Sequence, residues 1–229
     1  MDLLEQDDMV SFATTSWLIW KRRNEMIFRK CFLHPRIVAQ NSKHLVEELQ
    51  LAKQQNKKLT GKVQRQAAWV TPPRGRLKLN WDASLDKIRC RVGVGAVIRD
   101  HEGQVLATLR MQHDLFPDPF LAEAYAALQA SIFCKSSGYK GIIMEGDSLQ
   151  VVKGLNSASD SHTYAGQLIA DTKTTLSSFT AWSAGHTVRA NNCVAHALSK
   201  DALGISGYTT TFGSVPLCIR TLVFESLNE

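Results

Sequence analysis

Three acids stand in local settings from which their carboxylates could converge. Asp82 falls inside an alternating run, Leu77-Lys78-Leu79-Asn80-Trp81-Asp82-Ala83, Glu123 lies near the start of an amphipathic stretch, and Asp147 follows a short apolar run, Gly141 to Glu145. Hydrolysis of a phosphodiester needs an activated water on one side of phosphorus and a stabilised leaving oxygen on the other. Two Mg²⁺ ions about 4 Å apart can supply both. Such hard cations take oxygen ligands and keep several waters, so three or four acids brought together from separate elements suffice to hold them. Each acid also has an ordinary use: solvation on a strand's polar face for Asp82, complementing a helix dipole for Glu123, capping a helix for Asp147.

The elements that must carry these acids can be read from periodicity. Alternation over residues 77–83 predicts a strand with Asp82 on its polar face. Residues 91–99 (RVGVGAVIR) read as a second strand, His101-Glu102-Gly103 as a turn, and Gln104 to Met111 as a third strand, together an antiparallel meander. Asp118-Pro119 opens a helix, with an N-cap acceptor followed by proline at the first helical position. From Phe120 to Ser136 its apolar face carries Leu121, Ala124, Tyr125, Leu128 and Ile132, and Glu123 sits just off that face. Gly138 ends the helix, and the next strand delivers Asp147 at its carboxyl end. Helices over 148–156 and 164–178, a strand over 179–185 and a helix from Asn192 to Leu203 complete an α/β fold in the order βββαβααβα, a mixed five-stranded sheet flanked by helices.

Upstream, Trp17, Trp20, Ile27 and Phe28, then Ile37, Leu45, Val46 and Leu49, recur at helical spacing with a break at Pro35, which predicts two packing helices within residues 1–52. Residues 53–76, rich in Lys, Gln and Arg and ending near Pro72-Pro73, read as a basic linker before a domain over 77–203 and a tail over 204–229. Residues 1–76 carry 14 Lys and Arg against 7 Asp and Glu, leaving 13 against 14 for the rest, so the net charge of +6 resides in the upstream part. Lys21, Arg22, Arg23, Arg29, Lys30, Lys57, Lys58, Lys62 and Arg65 form a basic arm of the kind that holds phosphates without regard to sequence.

The five cysteines, Cys31, Cys90, Cys134, Cys193 and Cys218, are odd in number and widely spaced, which points to reduced thiols in a nuclear or cytoplasmic chain and away from a structural zinc site. The apolar run from Val10 to Trp20 is too short to cross a bilayer, and acidic residues precede it, so no secretory signal, transmembrane helix or membrane partner is expected.

The stretches PPRGRLKLNWDAS, VGVGAVIRDHEG, LAEAYAALQA, MEGDSLQVV and HTVRANNCVAHALSK, in this order over most of residues 72–203, resemble the ribonuclease H superfamily. Within it they resemble more closely the reverse-transcriptase-like RNase H domains of plant non-LTR retroelements and derived host proteins. WLIWKRRNEMIF, within residues 11–50, resembles the helical segment preceding that domain in retroelement polyproteins, and this resemblance implies that residues 1–52 are a retroelement remnant. The resemblance implies that Asp82, Glu123 and Asp147 bind Mg²⁺, with Mn²⁺ as a substitute. It implies that His186 is the loop histidine associated with product release or proton transfer, and that Asn192 opens the last helix. Ser84 and Ser148, beside the motif acids, and Asn192 are the nucleic-acid-binding candidates in the domain, joined by Lys21, Arg22 and Arg23 in the arm. At the fourth acid position, ten residues after His186, this chain has His196, a poor Mg²⁺ ligand and a better Mn²⁺ ligand. Asp201, one turn further on, reads as a surface residue, or as a stand-in acid if the helix register shifts.

Two functions are implied. One is endonucleolytic hydrolysis of the RNA strand of RNA–DNA hybrids, with no small-molecule cofactor. The other is a domesticated or decaying retroelement domain that binds nucleic acid or a partner without cutting, which His196 favours. A 3′–5′ exonuclease on the same fold would carry Asp-x-Glu in the first strand, whereas Asp82-Ala83-Ser84 stands there.

Overall fold

The computed structural model describes residues 6–29, 34–59, 69–158, 161 and 163–228, with side chains described for 8–27, 34–47, 69–158, 161 and 163–226. The chain divides into two compact units, residues 1–66 and 67–229.

The first unit holds two helices, α1 (Gln6–Arg29) and α2 (Pro35–Leu59). They meet through small and polar groups: Thr14, Val38 and Ser42 are buried, and the Thr15 and Ser42 hydroxyls lie 2.6 Å apart. Much of the apolar stripe expected to pack is exposed instead. Trp17, Trp20 and Ile27 are exposed, and Phe28 lies outside the described side chains. A helical period marks an apolar stripe but says nothing of what covers it. The helix also runs beyond the expected boundary at residue 52, because residues 53–59 (KQQNKKL) contain neither Gly nor Pro and are mostly good helix formers. Among the basic residues of the arm, Lys30, Lys62 and Arg65 lie outside the described residues, as does Cys31.

In the second unit, six strands form one mixed sheet in the order β5-β4-β1-β2-β3-β6. The strands are β1 (Leu77–Asp86), β2 (Arg91–Arg99), β3 (Val105–Asp114), β4 (Gly141–Gly146), β5 (Ala181–His186) and β6 (Tyr208–Phe212). The meander β1-β2-β3 is antiparallel, and β4 and β5 add on parallel to β1, as the helices between them require. The sixth strand, β6, comes from the segment expected to be a tail, and it pairs antiparallel with β3.

The helices α3 (Pro119–Ser136), α4 (Leu149–Asn156) and α5 (Tyr164–Leu176) enclose the larger core with one face of the sheet. Leu79, Trp81, Val92, Val94, Ile142 and Met144 point into it from the strands. α3 departs from the expected single apolar face. Ile132 is exposed, whereas Ala122, Ala124, Ala126, Ala127 and Ala130 are all buried. The helix is packed both on the sheet and on α5, and small side chains let it be covered on more than one side.

The opposite face carries α6 (Cys193–Ala202) and α7 (Arg220–Asn228), with Val97, Val105, Val194, Leu198, Ile219 and Val223 as a second core. Here the sequence expectation for β1 is corrected. Its polar face, Lys78, Asn80, Asp82 and Ser84, is not solvated but buried under α6 and its neighbours. The neighbouring strand explains how α6 comes so close. Gly93 and Gly95 pair with Ser84 and Asp82 on the same face, and a Cβ on Gly95 would stand 2.3 Å from the Ala195 carbonyl oxygen. Only glycine lets the helix backbone lie there.

A second buried polar group sits at the other end of the same face. Arg99 stacks on Trp69, 3.4 Å from the ring centroid, and its Nη2 donates to Asn80 Oδ1. Lys78 pairs with Glu145 at 2.8 Å and donates to the Val70 carbonyl, so the segment before β1 is held by charge as well as by packing. Burial lowers the Arg99 pKa to about 10.

Candidate metal centre

Each of the three acids is placed by a different local device. Asp118 accepts a 2.8 Å hydrogen bond from the Leu121 amide and Pro119 opens the helix, so α3 begins where Glu123 faces the end of β1. Glu123 Oε1 accepts from the Ala83 amide at 3.4 Å. β4 ends at Gly146, whose carbonyl accepts from Thr187, and Asp147 follows directly. Ser148, not Asp147, is the N-cap of α4, which leaves the Asp147 carboxylate for other partners. Asp82 lies mid-strand, and the start of α6 is pinned beside it by Asn192, whose Nδ2 donates to the Trp81 carbonyl at 2.8 Å.

One ligand atom from each of Asp82, Glu123 and Asp147 lies within 4.8 Å of the other two. Three carboxylate oxygens gathered this closely are the kind of donor set that a hard divalent ion takes. The electrostatics favour such an occupant. Burial, with Asp82 and Asp147 nearby, holds Glu123 well above the ordinary carboxylate range. Burial also raises Asp82, against the opposing hydrogen bonds from Ser199 and His196. Asp82 Oδ1 and Glu123 Oε2 are buried with no hydrogen-bond partner. Buried carboxylate oxygens left unsatisfied are costly unless a cation takes them. The residues present therefore fit a hard divalent ion.

Around the acids, the structure adds residues that sequence reasoning did not single out. Ser199 donates from Oγ to Asp82 Oδ2 at 2.5 Å, and the Ser84 hydroxyl stands 2.7 Å behind it. His196 Nδ1 lies 3.0 Å from the same Asp82 oxygen. Arg189, in the 3₁₀ turn Arg189–Asn192 between β5 and α6, reaches Asp147 Oδ2 at 3.7 Å with Nη1. Its Nη2 lies 3.1 Å from Nε2 and 3.3 Å from Nδ1 of His196, against the ring as a whole rather than one nitrogen. Ser199 lies three residues beyond His196 and thus shares its helix face, a signal present in the sequence. No periodicity marks Arg189.

The remaining candidates separate. His186 is exposed at the end of β5, paired in register with Gly146 and so one residue from Asp147. Ser148 is half-buried, and its hydroxyl makes no capping bond. Ser84 and Asn192 are buried and engaged with Ser199 and Trp81, so their side chains serve the interior. Among the described residues, Asp201 is not one of the clustered acids. It forms an ion pair with Arg110 of β3. Lys21 lies 5.0 Å from the centre of the Trp17 ring on α1, which also carries Arg22 and Arg23. Among the described residues no helix is long and apolar enough to cross a membrane.

Residues 80–202 match the family described as reverse transcriptase-like. The fold is similar to RNase H1 from the halophilic archaeon Halobacterium salinarum, with 27% identity, TM-score 0.52, and coverage of 57% of this chain and 98% of that one. It is similar to the N-terminal RNase H domain of a Mycobacterium tuberculosis protein, with 20% identity, TM-score 0.51, and coverage of 56% and 94%. A third similar structure is the RNase H1 called LC11, isolated from compost and solved with an RNA/DNA hybrid, with 16% identity, TM-score 0.50, and coverage of 56% and 96%. No curated protein matches the chain. With more than half of its length matched and the acids assembled on this sheet, the chain belongs to the reverse transcriptase-like family of the ribonuclease H superfamily.

Proposed function

We propose that this chain is a divalent-metal-dependent endonuclease that hydrolyses the RNA strand of RNA–DNA hybrids. The observation that carries this reading is the convergence of Asp82, Glu123 and Asp147, two of which keep a buried oxygen without a partner. Asp82, Glu123 and Asp147 would hold Mg²⁺, or Mn²⁺, which when bound supplies an activated water and charge stabilisation at the scissile phosphate. The chain's own residues set the conditions for this. Ser199 and His196 fix one oxygen of Asp82, and the Ala83 amide fixes one oxygen of Glu123, so their other oxygens are directed without rearrangement. His186, exposed beside the carboxyl ends of β4 and β5, is suited to exchanging a proton with solvent or the departing product. The Ser148 hydroxyl, next to Asp147, is available to a phosphate oxygen or a 2′-hydroxyl. Lys21, Arg22 and Arg23 would add backbone affinity from the arm.

His196 in place of a fourth acid favours a second reading, a domain that binds hybrid without cutting it. Incubating the full chain with an end-labelled RNA–DNA hybrid in Mg²⁺ and in Mn²⁺, beside Asp82→Asn, separates the two. Cleavage abolished by the substitution is expected. Intact RNA in both metals, with hybrid still retained by the protein, moves the conclusion to the binding reading.

A further inference from the structure

We infer that Arg189 takes the electrostatic place of a second divalent ion, so that this site holds one ion rather than two. The inference rests on the metal-site reading above and adds a residue to it. Arg189 is the cation that closes a ring around the acids: Asp147 to its Nη1, His196 to its Nη2, and His196 in turn to Asp82.

The charge balance decides between one ion and two. Four carboxylates would balance two divalent cations in full. Here three carboxylates and one guanidinium sum to a formal charge of −2, and one divalent ion balances it. A second ion would leave +2 beside carboxylate oxygens that burial has taken out of water, where uncompensated charge is costly. The ligands point the same way. The fourth position offers an imidazole whose Nδ1 is engaged with Asp82 and whose ring lies against a guanidinium, so it presents no anionic oxygen to a second hard cation. Arg189 is itself 67% exposed in its side chain and is attached to a short turn, so it can stay paired with Asp147 while facing an incoming phosphate.

Binding of Mn²⁺ to the full chain tests this without any need for turnover. Asp82→Asn supplies the background from unrelated surface acids. One Asp82-dependent ion is expected in the wild type. Arg189→Gln, which removes a repelling charge from an exposed position, is expected to bind that ion on the order of tenfold more tightly, whereas Arg189→Lys keeps the charge and is expected to bind as the wild type does. Two Asp82-dependent ions in the wild type, or equal affinity in the wild type and Arg189→Gln, or the same change in the Gln and Lys variants, overturns the inference and leaves the metal site standing. No Asp82-dependent ion at all overturns both.

Discussion

His196 and Asp82 lie 114 residues apart in the chain, yet His196 Nδ1 stands 3.0 Å from Asp82 Oδ2. The fourth position therefore touches the first acid directly, with a side chain that donates to a carboxylate rather than adding another. His196→Asp would replace that contact with a like-charge one at similar range, opposed by about 1 to 4 kcal/mol between an exposed and a part-buried setting. The metal-free variant is expected to melt several degrees below the wild type, and saturating Mg²⁺ is expected to recover most of the difference. Thermal melts with and without Mg²⁺ check this. Equal metal-free melting temperatures would show that the imidazole is not supporting Asp82.

Ser199 and Ser84 form a relay behind the same carboxylate oxygen. The Ser199 hydroxyl has one proton and two acceptors, Asp82 Oδ2 at 2.5 Å and the His196 carbonyl at 2.9 Å; the nearer, charged one is favoured, and either way the Ser84 hydroxyl donates in the 2.7 Å contact. A hydrogen bond to a charged group is worth about 1.5 to 3 kcal/mol and a neutral one about 1 kcal/mol. Urea denaturation is expected to rank Ser199→Ala as the more destabilising change, with Ser84→Ala costing about half as much or less. Weakened Mn²⁺ affinity should accompany the first and not the second. The reverse order would mean that the relay runs the other way.

Glu123 is the acid least at ease without a cation. Its Oε2 is buried and unpartnered, and the nearby Asp82 and Asp147 carboxylates add to the effect of burial. Glu123→Gln keeps the shape and the Ala83 hydrogen bond, removes the charge, and places an amide where it can donate to the neighbouring carboxylates. The metal-free variant is expected to be more stable than the wild type by about 1 kcal/mol, while the stabilisation given by Mg²⁺ shrinks. Denaturation with and without Mg²⁺ measures both quantities, and a less stable metal-free variant would show that the acids do not strain one another.

The parts of the fold that were legible in the sequence are those with local causes. The Asp118-Pro119 cap and the alternation around Asp82 place two acids on named elements from a few residues each. The short run into Gly146 places the third. Burial of Asp82 was not legible, because alternation separates two faces of a strand without saying which one a helix will cover. The nearest signal was the Gly93-Val94-Gly95 pattern in β2, which announces a close backbone approach but not its partner. Strand β6 (YTTTF) is largely exposed at the sheet edge and lacks the apolar face by which strands are recognised. Arg189 lies in a turn, where no period applies and only the assembled geometry gives it a role.

Gly95 links the fold directly to the site. It pairs with Asp82 across β1 and β2, and its missing side chain is what allows the Ala195-to-Ser199 turn of α6 to lie on the sheet. A Cβ at this position would meet the Ala195 carbonyl oxygen and the Ser199 amide nitrogen, both at 2.3 Å, and neither is a flexible side-chain end that could swing aside. Gly95→Ala must therefore push the helix outward, taking His196 and Ser199 away from Asp82 while Glu123 and Asp147, on other elements, stay in place. Destabilisation of about 1 to 3 kcal/mol is the usual cost of such overpacking. The more telling effect is a loss of Mn²⁺ affinity exceeding that of Ser199→Ala, because both supports of Asp82 are withdrawn together. Measuring stability and Mn²⁺ affinity on the same preparations distinguishes a displaced helix from a general loss of folding. A destabilised Gly95→Ala that binds Mn²⁺ as tightly as the wild type would show that α6 contributes nothing to the position of Asp82.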